Sequence, residues 1–222
     1  MLICGVCKNV ESALPNTISS MANLGAQFKD FTVIIYENNS TDRTAQILAE
    51  WASKEKRVVF ISENLTQEQL STGARCYSWD GKPSRMEIIA RARNIVLSKA
   101  RAAQYADFDY VIMADLDFQR PWPIPEILNS IQQYEGWDCI AANGMSRDVI
   151  YYDRFALRNE LFPFGPELIG EETATIKCFN VFMVLPSSKK KILRNICVYL
   201  KKQKSVTTVK LGKSFNCLQA HN

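Results

Sequence analysis

From Leu2 to Ile61 the chain alternates short β-branched runs with helical apolar spacing, and few architectures satisfy that alternation. Leu2–Val6, Phe31–Tyr36 and Val58–Ile61 read as strands. Between them, Leu14, Ile18, Met21 and Leu24, and then Ala45, Leu48, Trp51 and Ala52, recur at the spacing of one helix face. Strand, helix, strand, helix, strand in sixty residues predicts a mainly parallel sheet flanked by helices, an α/β fold. Pro15 suits a first helical turn and Gly25 a stop, while Ser40 or Thr41 is expected to cap the second helix. With 222 residues, 47% of them hydrophobic, the chain can bury one sizeable core, and a single domain is expected.

The next strong element is Asp109-Tyr110-Val111-Ile112-Met113-Ala114-Asp115-Leu116-Asp117. Its apolar run reads as a strand buried on both faces, and the carboxyl ends of such strands are where open α/β sheets bind ligands. In extended backbone, alternate residues point the same way, so Asp115 and Asp117 are expected to converge. Two carboxylates repel unless a cation lies between them, and hard oxygen ligands suit Mg²⁺ or Mn²⁺, which complete their shells with water and phosphate. The pair therefore points to a metal–diphosphate site; the plainer alternative is a solvated turn after a strand.

Around it, Asn64–Pro83 reads as a long polar loop and Ser84–Ala103 as the best helix, opened by a Ser84/Glu87 capping box. Arg91 and Asn94 are three apart, on one side of that helix, with Arg93 pointing elsewhere. Ile124–Tyr134 reads as a helix and Asp138–Ala142 as a strand, followed by Asn143-Gly144. Four polar clusters then fall at strand ends: Lys8-Asn9-Glu11, Glu37 to Asp42, Asp115-Leu116-Asp117 and Asn143-Gly144. A parallel sheet brings such ends to one edge, which strengthens the metal–phosphate reading.

Composition excludes several chemistries. His221 is the sole histidine, so a Ser-His-Asp triad and a structural zinc set are poorly supported. Cys4 and Cys7 form a Cys-x-x-Cys pair among seven cysteines, but Cys4 lies in an apolar strand, which favours buried thiols and a reducing compartment. No run approaches the roughly 20 apolar residues of a membrane span and no signal-like segment opens the chain, so a soluble, cytoplasmic protein is expected. Nine of the 27 Lys and Arg residues and none of the 23 Asp and Glu lie in Pro186–Asn222; Met1–Leu185 keeps 18 basic and 23 acidic residues, a net of −5. This sets a boundary between a body (1–185) and a basic segment (186–222). Ile192, Ile196 and Leu200 share a helical face beside lysines, which suits either peripheral contact with an anionic membrane or an ordinary helix. The acidic body and the lack of an aromatic–basic motif argue against nucleic acid.

Cys4-Gly5-Val6-Cys7-Lys8-Asn9-Val10-Glu11, Tyr36 to Thr44, Ala92-Arg93-Asn94 and Asp115-Leu116-Asp117 together resemble a GT-A glycosyltransferase. The Glu37-Asn38-Asn39-Ser40-Thr41-Asp42 segment is similar to the nucleotide-binding turn of family-2-like transferases. With Trp137-Asp138, Ala142-Asn143-Gly144 and Tyr151-Tyr152-Asp153, the order resembles the capsule-associated mannosyltransferase group over roughly Met1–Gly165. The resemblance implies a nucleotide-sugar donor, UDP- or GDP-linked, a glycan or other hydroxyl acceptor, and transfer of a hexose or deoxyhexose. It places base and ribose near Glu37, Asn38 and Asp42, with Lys8 and Asn9 at the same edge. Asp115 would face ribose and metal, Asp117 would ligate Mn²⁺ or Mg²⁺, and Arg91 or Arg93, beside Asn94, would add a guanidinium contact to phosphate. For Glu37 and Asp42 helix capping is the competing role, and for Arg93-Asn94 a surface pair. An inverting transfer needs a carboxylate base: Glu171-Glu172 resembles the acidic pair of inverting members, and Asp153 competes. A retaining enzyme needs none there, so the stereochemistry stays open. The motif resemblance fades after about Lys177, leaving His221 as the one late imidazole and a shortened form of a larger enzyme as one reading. Two rivals stand beside it: a nucleotidyltransferase, disfavoured by the glycine-poor turn after the first strand, and a non-catalytic nucleotide- or glycan-binding scaffold.

Overall fold

The computed structural model describes residues 1–133, 139–144, 183–186 and 203–209. In chain order these form β1 (Leu2–Cys7), α1 (Leu14–Gly25), β2 (Thr32–Asn38), α2 (Thr44–Lys54), β3 (Val58–Glu63), α3 (Gln67–Ser71), α4 (Arg85–Ala100), β4 (Tyr110–Asp115), α5 (Ile124–Gln133), β5 (Cys139–Gly144), β6 (Met183–Pro186) and β7 (Gln203–Val209). They fall into two compact units. One is Met1–Asp109 with Leu116–Trp122; the other takes Tyr110–Asp115 and the described elements from Pro123 onward.

The first unit is built on three parallel strands in the order β3-β2-β1. Leu2, Ile3 and Cys4 of β1 and Val33 to Ile35 of β2 are fully buried, as expected of parallel strands covered on both faces. Helix α4 packs on β1 and β2 through Ala92, Val96, Leu97 and Ala100, and α2 packs beside β3. The register aligns Cys7 with Glu37 and Glu37 with Ser62, so the three strands end level with one another. The long polar loop expected after β3 contains α3, closed by a reciprocal capping box of Thr66 and Gln69, and a bridge between Tyr77 and Pro83. Neither Ser40 nor Thr41 caps α2: the N-cap position is Arg43, without a side-chain bond. Both residues are drawn instead into contacts with the β1 loop, described below.

The Leu116–Trp122 segment is pinned to α1. Thr17 Oγ1 donates to the Leu116 carbonyl at 3.2 Å and Asn16 Nδ2 to the Gln119 carbonyl at 2.8 Å. Trp122 N donates to Ser20 Oγ at 3.0 Å. The fully buried Leu116 side chain lies over Gly5, where an added Cβ would stand 2.6 Å from Leu116 Cδ2. Gly5 is thus required by close approach rather than by backbone angle. Gly25 faces the ring of Phe31 in the same way, with 2.4 Å to Cδ2.

In the second unit β4 pairs antiparallel with β6, β6 with β5, and β5 with β7. Val111 to Ala114 of β4 are buried, as its apolar run predicts. β6 and β7 were not legible: β6 has four residues, and β7 reads Gln-Lys-Ser-Val-Thr-Thr-Val inside the basic segment, where lysines mask the β-branched residues. The composition boundary at Pro186 coincides with the last residue of β6. Among the described residues no helix is long and apolar enough to cross a membrane.

Gly5→Ala is expected to lower stability by about 1–3 kcal/mol through overpacking against Leu116. Urea denaturation measures it, and in a Leu116→Ala background the added methyl should cost much less; an equal cost in both backgrounds would remove Leu116 as the cause.

Candidate active site

The strand ends of the first unit carry the candidate site, and what organises them is a set of bonds between two loops. Asn9, in the left-handed region at φ 54°, gives its N–H to Ser40 Oγ at 3.0 Å and accepts from Thr41 N at 2.7 Å through Oδ1. Val10 N donates to Thr44 Oγ1 at 2.8 Å. Glu11 N donates to Asp42 Oδ2 at 3.1 Å, while Glu11 accepts from Arg43 N at 2.9 Å and its guanidinium at 2.8 Å. The loop after β1 and the loop after β2 therefore satisfy each other's backbone groups. Asparagine suits this position because it tolerates positive φ and bonds locally.

Glu37 is 1% exposed, and both its oxygens are engaged. Oε1 accepts from Ser40 N at 2.7 Å and Oε2 from Ser62 Oγ at 2.6 Å, tying the β2 loop to the end of β3. Asp42 is likewise committed, with Oδ1 accepting from Thr44 N at 3.0 Å and Oδ2 from Glu11 N. Neither acid is the cap of α2, the competing role expected for them, since the N-cap position is Arg43 without a side-chain bond; both instead bond within the turn and to its neighbours. Asn38 is buried and donates to Asn39 Oδ1 at 3.0 Å. Asn39, also at positive φ (55°), bonds both backbone groups of Leu65 through its amide, at 2.8 and 3.3 Å.

Partial burial opposes ionisation of Asp42, but hydrogen bonds from Thr44 and the Glu11 amide outweigh it and hold the carboxyl below its ordinary value. The Arg43 amide, then its guanidinium, hold Glu11 low as well. Cys7, level with Glu37, has its thiol pushed far up by burial and by the negative charges of Glu37 and Asp42. It stays protonated, so Cys4 and Cys7 lie in the sheet as thiols, as the apolar context predicts.

The basic residues of α4 divide differently from expectation. Arg91 is half-buried, its Nη1 3.5 Å from Tyr36 Oη and 3.8 Å from Glu63 Oε2. Tyr36 Oη donates to that same Glu63 oxygen at 2.6 Å, so the guanidinium stands over an existing phenol–carboxylate pair. Arg93, expected to point elsewhere, is the buried member at 4% exposure, whereas Asn94 is exposed. Arg93 belongs to the inner stripe of α4 with Ala92 and Val96. Lys8 and Asn9 are exposed.

β4 stops at Asp115, so Asp117 is not two residues further along an extended strand as the alternation argument assumed. Asp115 closes β4 in the second unit, and Asp117 lies in the segment held on α1 in the first. Both are partly buried. Among the described residues no group of three or more His, Cys, Asp or Glu could hold a metal. By residue type each aspartate is a hard oxygen ligand of the kind that Mg²⁺ and Mn²⁺ take. Asp153, Glu171, Glu172 and His221 lie outside the described residues.

Sequence reasoning missed Ser62 and Glu63 as parts of this edge, and read Tyr36 and Asn39 only as members of the Tyr36 to Thr44 segment, without the bonds they make. Asn39 carries a signal that was available, since asparagine after a strand invites positive φ. Ser62 and Glu63 had none, because only the register places them beside Glu37 and Asn38.

The acid pair makes a pH prediction. Folded pKa values below the ordinary ones mean that Glu11 and Asp42 favour the native state at neutral pH and lose that contribution as pH falls through their folded values. Carboxyl-carbon NMR should find midpoints below 4.5 for Glu11 and below 3.8 for Asp42. The urea midpoint should fall with acidification over that range, and less steeply in Asp42→Asn; ordinary midpoints for both would refute the loop-to-loop bonding.

The family model described as Cryptococcal mannosyltransferase 1 matches residues 1–210, well past Lys177 where recognisable motifs end. No curated protein matches the chain. Among solved structures it is similar to glucosyl-3-phosphoglycerate synthase from Mycobacterium tuberculosis in complex with uridine-diphosphate, with 16% identity, TM-score 0.45 and coverage of 84% of this chain and 56% of that one. It is also similar to residues 1–349 of S. aureus TarS in complex with UDP, with 14% identity, TM-score 0.48 and coverage of 87% and 48%. A third is mannosyltransferase PcManGT from Pyrobaculum calidifontis in complex with GDP-Man and Mn2+, with 14% identity, TM-score 0.43 and coverage of 65% and 35%. The chain spans 56% or less of the length of each of these structures. With residues 1–210 of its 222 inside one family model, the chain belongs to the Cryptococcal mannosyltransferase 1 family.

Proposed function

We propose that this chain is a metal-dependent glycosyltransferase that moves a hexosyl or deoxyhexosyl group from a UDP- or GDP-linked donor to a hydroxyl of a glycan acceptor. The family match over residues 1–210 carries the reading. The strand-end edge supports it, because it is a polar site already ordered by its own bonds. Lys8, Asn9 and Arg91 are among its exposed or half-exposed polar side chains, and these three are assigned the donor contacts. Glu37 and Asp42 contribute by fixing the loop, since their oxygens are taken up within it. Asn38 helps set the turn through Asn39.

Asp115 and Asp117 are assigned to hold Mn²⁺ or Mg²⁺, which when bound balances the negative charge left on the diphosphate. Arg91 is suited to the same charge: its guanidinium is half-exposed, and a planar fork binds phosphate through paired hydrogen bonds. Tyr36 and Glu63 hold it in place by approaching one of its nitrogens. In an inverting reaction one carboxylate among Asp153, Glu171 and Glu172 takes the proton from the attacking hydroxyl.

Calorimetric titration with UDP, GDP and their sugar conjugates, with and without Mn²⁺, tests the reading. One nucleotide series should bind with the metal, at least about tenfold more weakly without it, and equally weakly in Asp117→Asn. Failure of every nucleotide to bind under every metal condition overturns the donor site. Arg91→Ala should weaken the same nucleotide by about 1.5–3 kcal/mol, the range for a hydrogen bond to a charged group.

A further inference from the structure

Among the described residues, Tyr77, Trp79 and Met86 are the large apolar side chains left exposed, and Trp79 is exposed at 99%. Such exposure is unusual for an indole held on an ordered turn. Ser78 N donates to the Lys82 carbonyl at 2.7 Å and Gly81 N to the Ser78 carbonyl at 3.0 Å, with Gly81 at φ 74°. The Tyr77–Pro83 bridge closes the hairpin, and Lys82 Nζ meets Asp80 Oδ2 at 3.0 Å across its tip. Both ends are anchored. Tyr77 Oη donates towards the carbonyls of Ser71, the last residue of α3, and of Ala74, at 3.3 and 3.2 Å. Ser84 N donates to the Cys76 carbonyl at 2.9 Å, and Ser84 then caps α4, the helix that carries Arg91. The indole is therefore presented by a closed turn rather than by a loose loop.

We infer that Trp79 is a sugar-stacking platform that receives a pyranose ring of the glycan acceptor, with Asp80, Lys82 and Ser78 around it to bond the ring hydroxyls. The inference rests on the transferase reading for the word acceptor, and on the hairpin for the site. A pyranose has one apolar C–H face edged by hydroxyls. The hairpin tip carries one exposed indole, with a hydroxyl at Ser78 and an acid at Asp80 beside it in the chain and the Lys82 ammonium paired with that acid at 3.0 Å. An apolar protein partner or a bilayer would call for a broad apolar patch, whereas here one ring protrudes well beyond the rest: Trp79 is exposed at 99% against 51% for Tyr77 and 43% for Met86, and its chain neighbours are Ser78 and Asp80. The turn also leads directly into α4, placing an acceptor surface in the same unit as the donor-edge residues Lys8, Asn9 and Arg91.

The test is saturation-transfer and ¹H–¹⁵N NMR of the full chain with methyl α-mannoside and mannobiose as probes, beside phosphatidylglycerol vesicles. The Trp79 indole N–H, assigned by its loss in Trp79→Ala, should shift saturably with a sugar probe. Saturation transfer to the ring C–H protons should vanish in Trp79→Ala and survive about tenfold weaker in Trp79→Phe. A fully exposed side chain makes these variants safe for folding, and circular dichroism checks it. An unmoved indole, transfer that persists in Trp79→Ala, or perturbation by vesicles alone would each overturn the proposal. Nucleotide calorimetry on the unaltered chain is scored separately. Sugar binding without nucleotide binding would leave a glycan surface and remove the transferase; the reverse would remove only the platform.

Discussion

The arrangement at the strand ends depends on one constraint: two adjacent loops with unsatisfied backbone groups must bond to each other. Asn9, Val10 and Glu11 give their N–H groups to Ser40, Thr44 and Asp42, and Thr41 and Arg43 return theirs to Asn9 and Glu11. An intramolecular hydrogen bond contributes a net of about 0.5–1.5 kcal/mol, and leaving a buried group unmade costs about 1–3 kcal/mol. The exchange is therefore worth most as a constraint on shape. It holds the edge in one conformation, so a ligand meeting it need not pay for ordering the loops.

Glu37 extends the same logic inward. A carboxylate with 1% exposure is tolerable only when bonded, and the Ser40 amide and Ser62 hydroxyl supply those bonds. Because parallel register makes Glu37 and Ser62 level, one side chain can tie the β2 loop to the end of β3. The cost appears at Cys7, whose thiol is held protonated by burial beside two acids. The thiolate that redox exchange needs is therefore disfavoured at a position that looks like half of a redox pair. A similar trade occurs at α4, where the Tyr36–Glu63 pair gives Arg91 a fixed seat at the margin of the sheet, while Arg93 is absorbed into the helix's inner face.

Much of this was legible in local pattern. The three parallel strands, the helices over them and the polar strand ends follow from periodicity, because burial on both faces of a parallel strand leaves a continuous apolar run. The roles of the polar residues were less legible. Glu37 and Asp42 carry the residue types of both a ribose contact and a loop brace, and only the positions of Ser62, Thr44 and Glu11 distinguish them. Ser40 and Thr41 are good capping residues by type, yet Asn9 takes them for the neighbouring loop. β7 escaped notice because strand propensity is weak information without knowledge of the neighbour, here β5.

The sequence by itself determined the α/β class, the placement of acidic and amide residues after each strand, and the Asp-x-Asp motif, since these depend on spacing and residue type along the chain. Tertiary structure decided which carboxylates hold the loops, which arginine of α4 is buried, where the strand before Asp117 stops, and that Trp79 stands out in solvent on a closed hairpin. Those outcomes depend on register and on side chains about 20 to 100 residues away competing for the same donors and acceptors, as with Glu37 and Ser62 or Thr17 and Leu116. No local window contains that competition, so no local reading could resolve it.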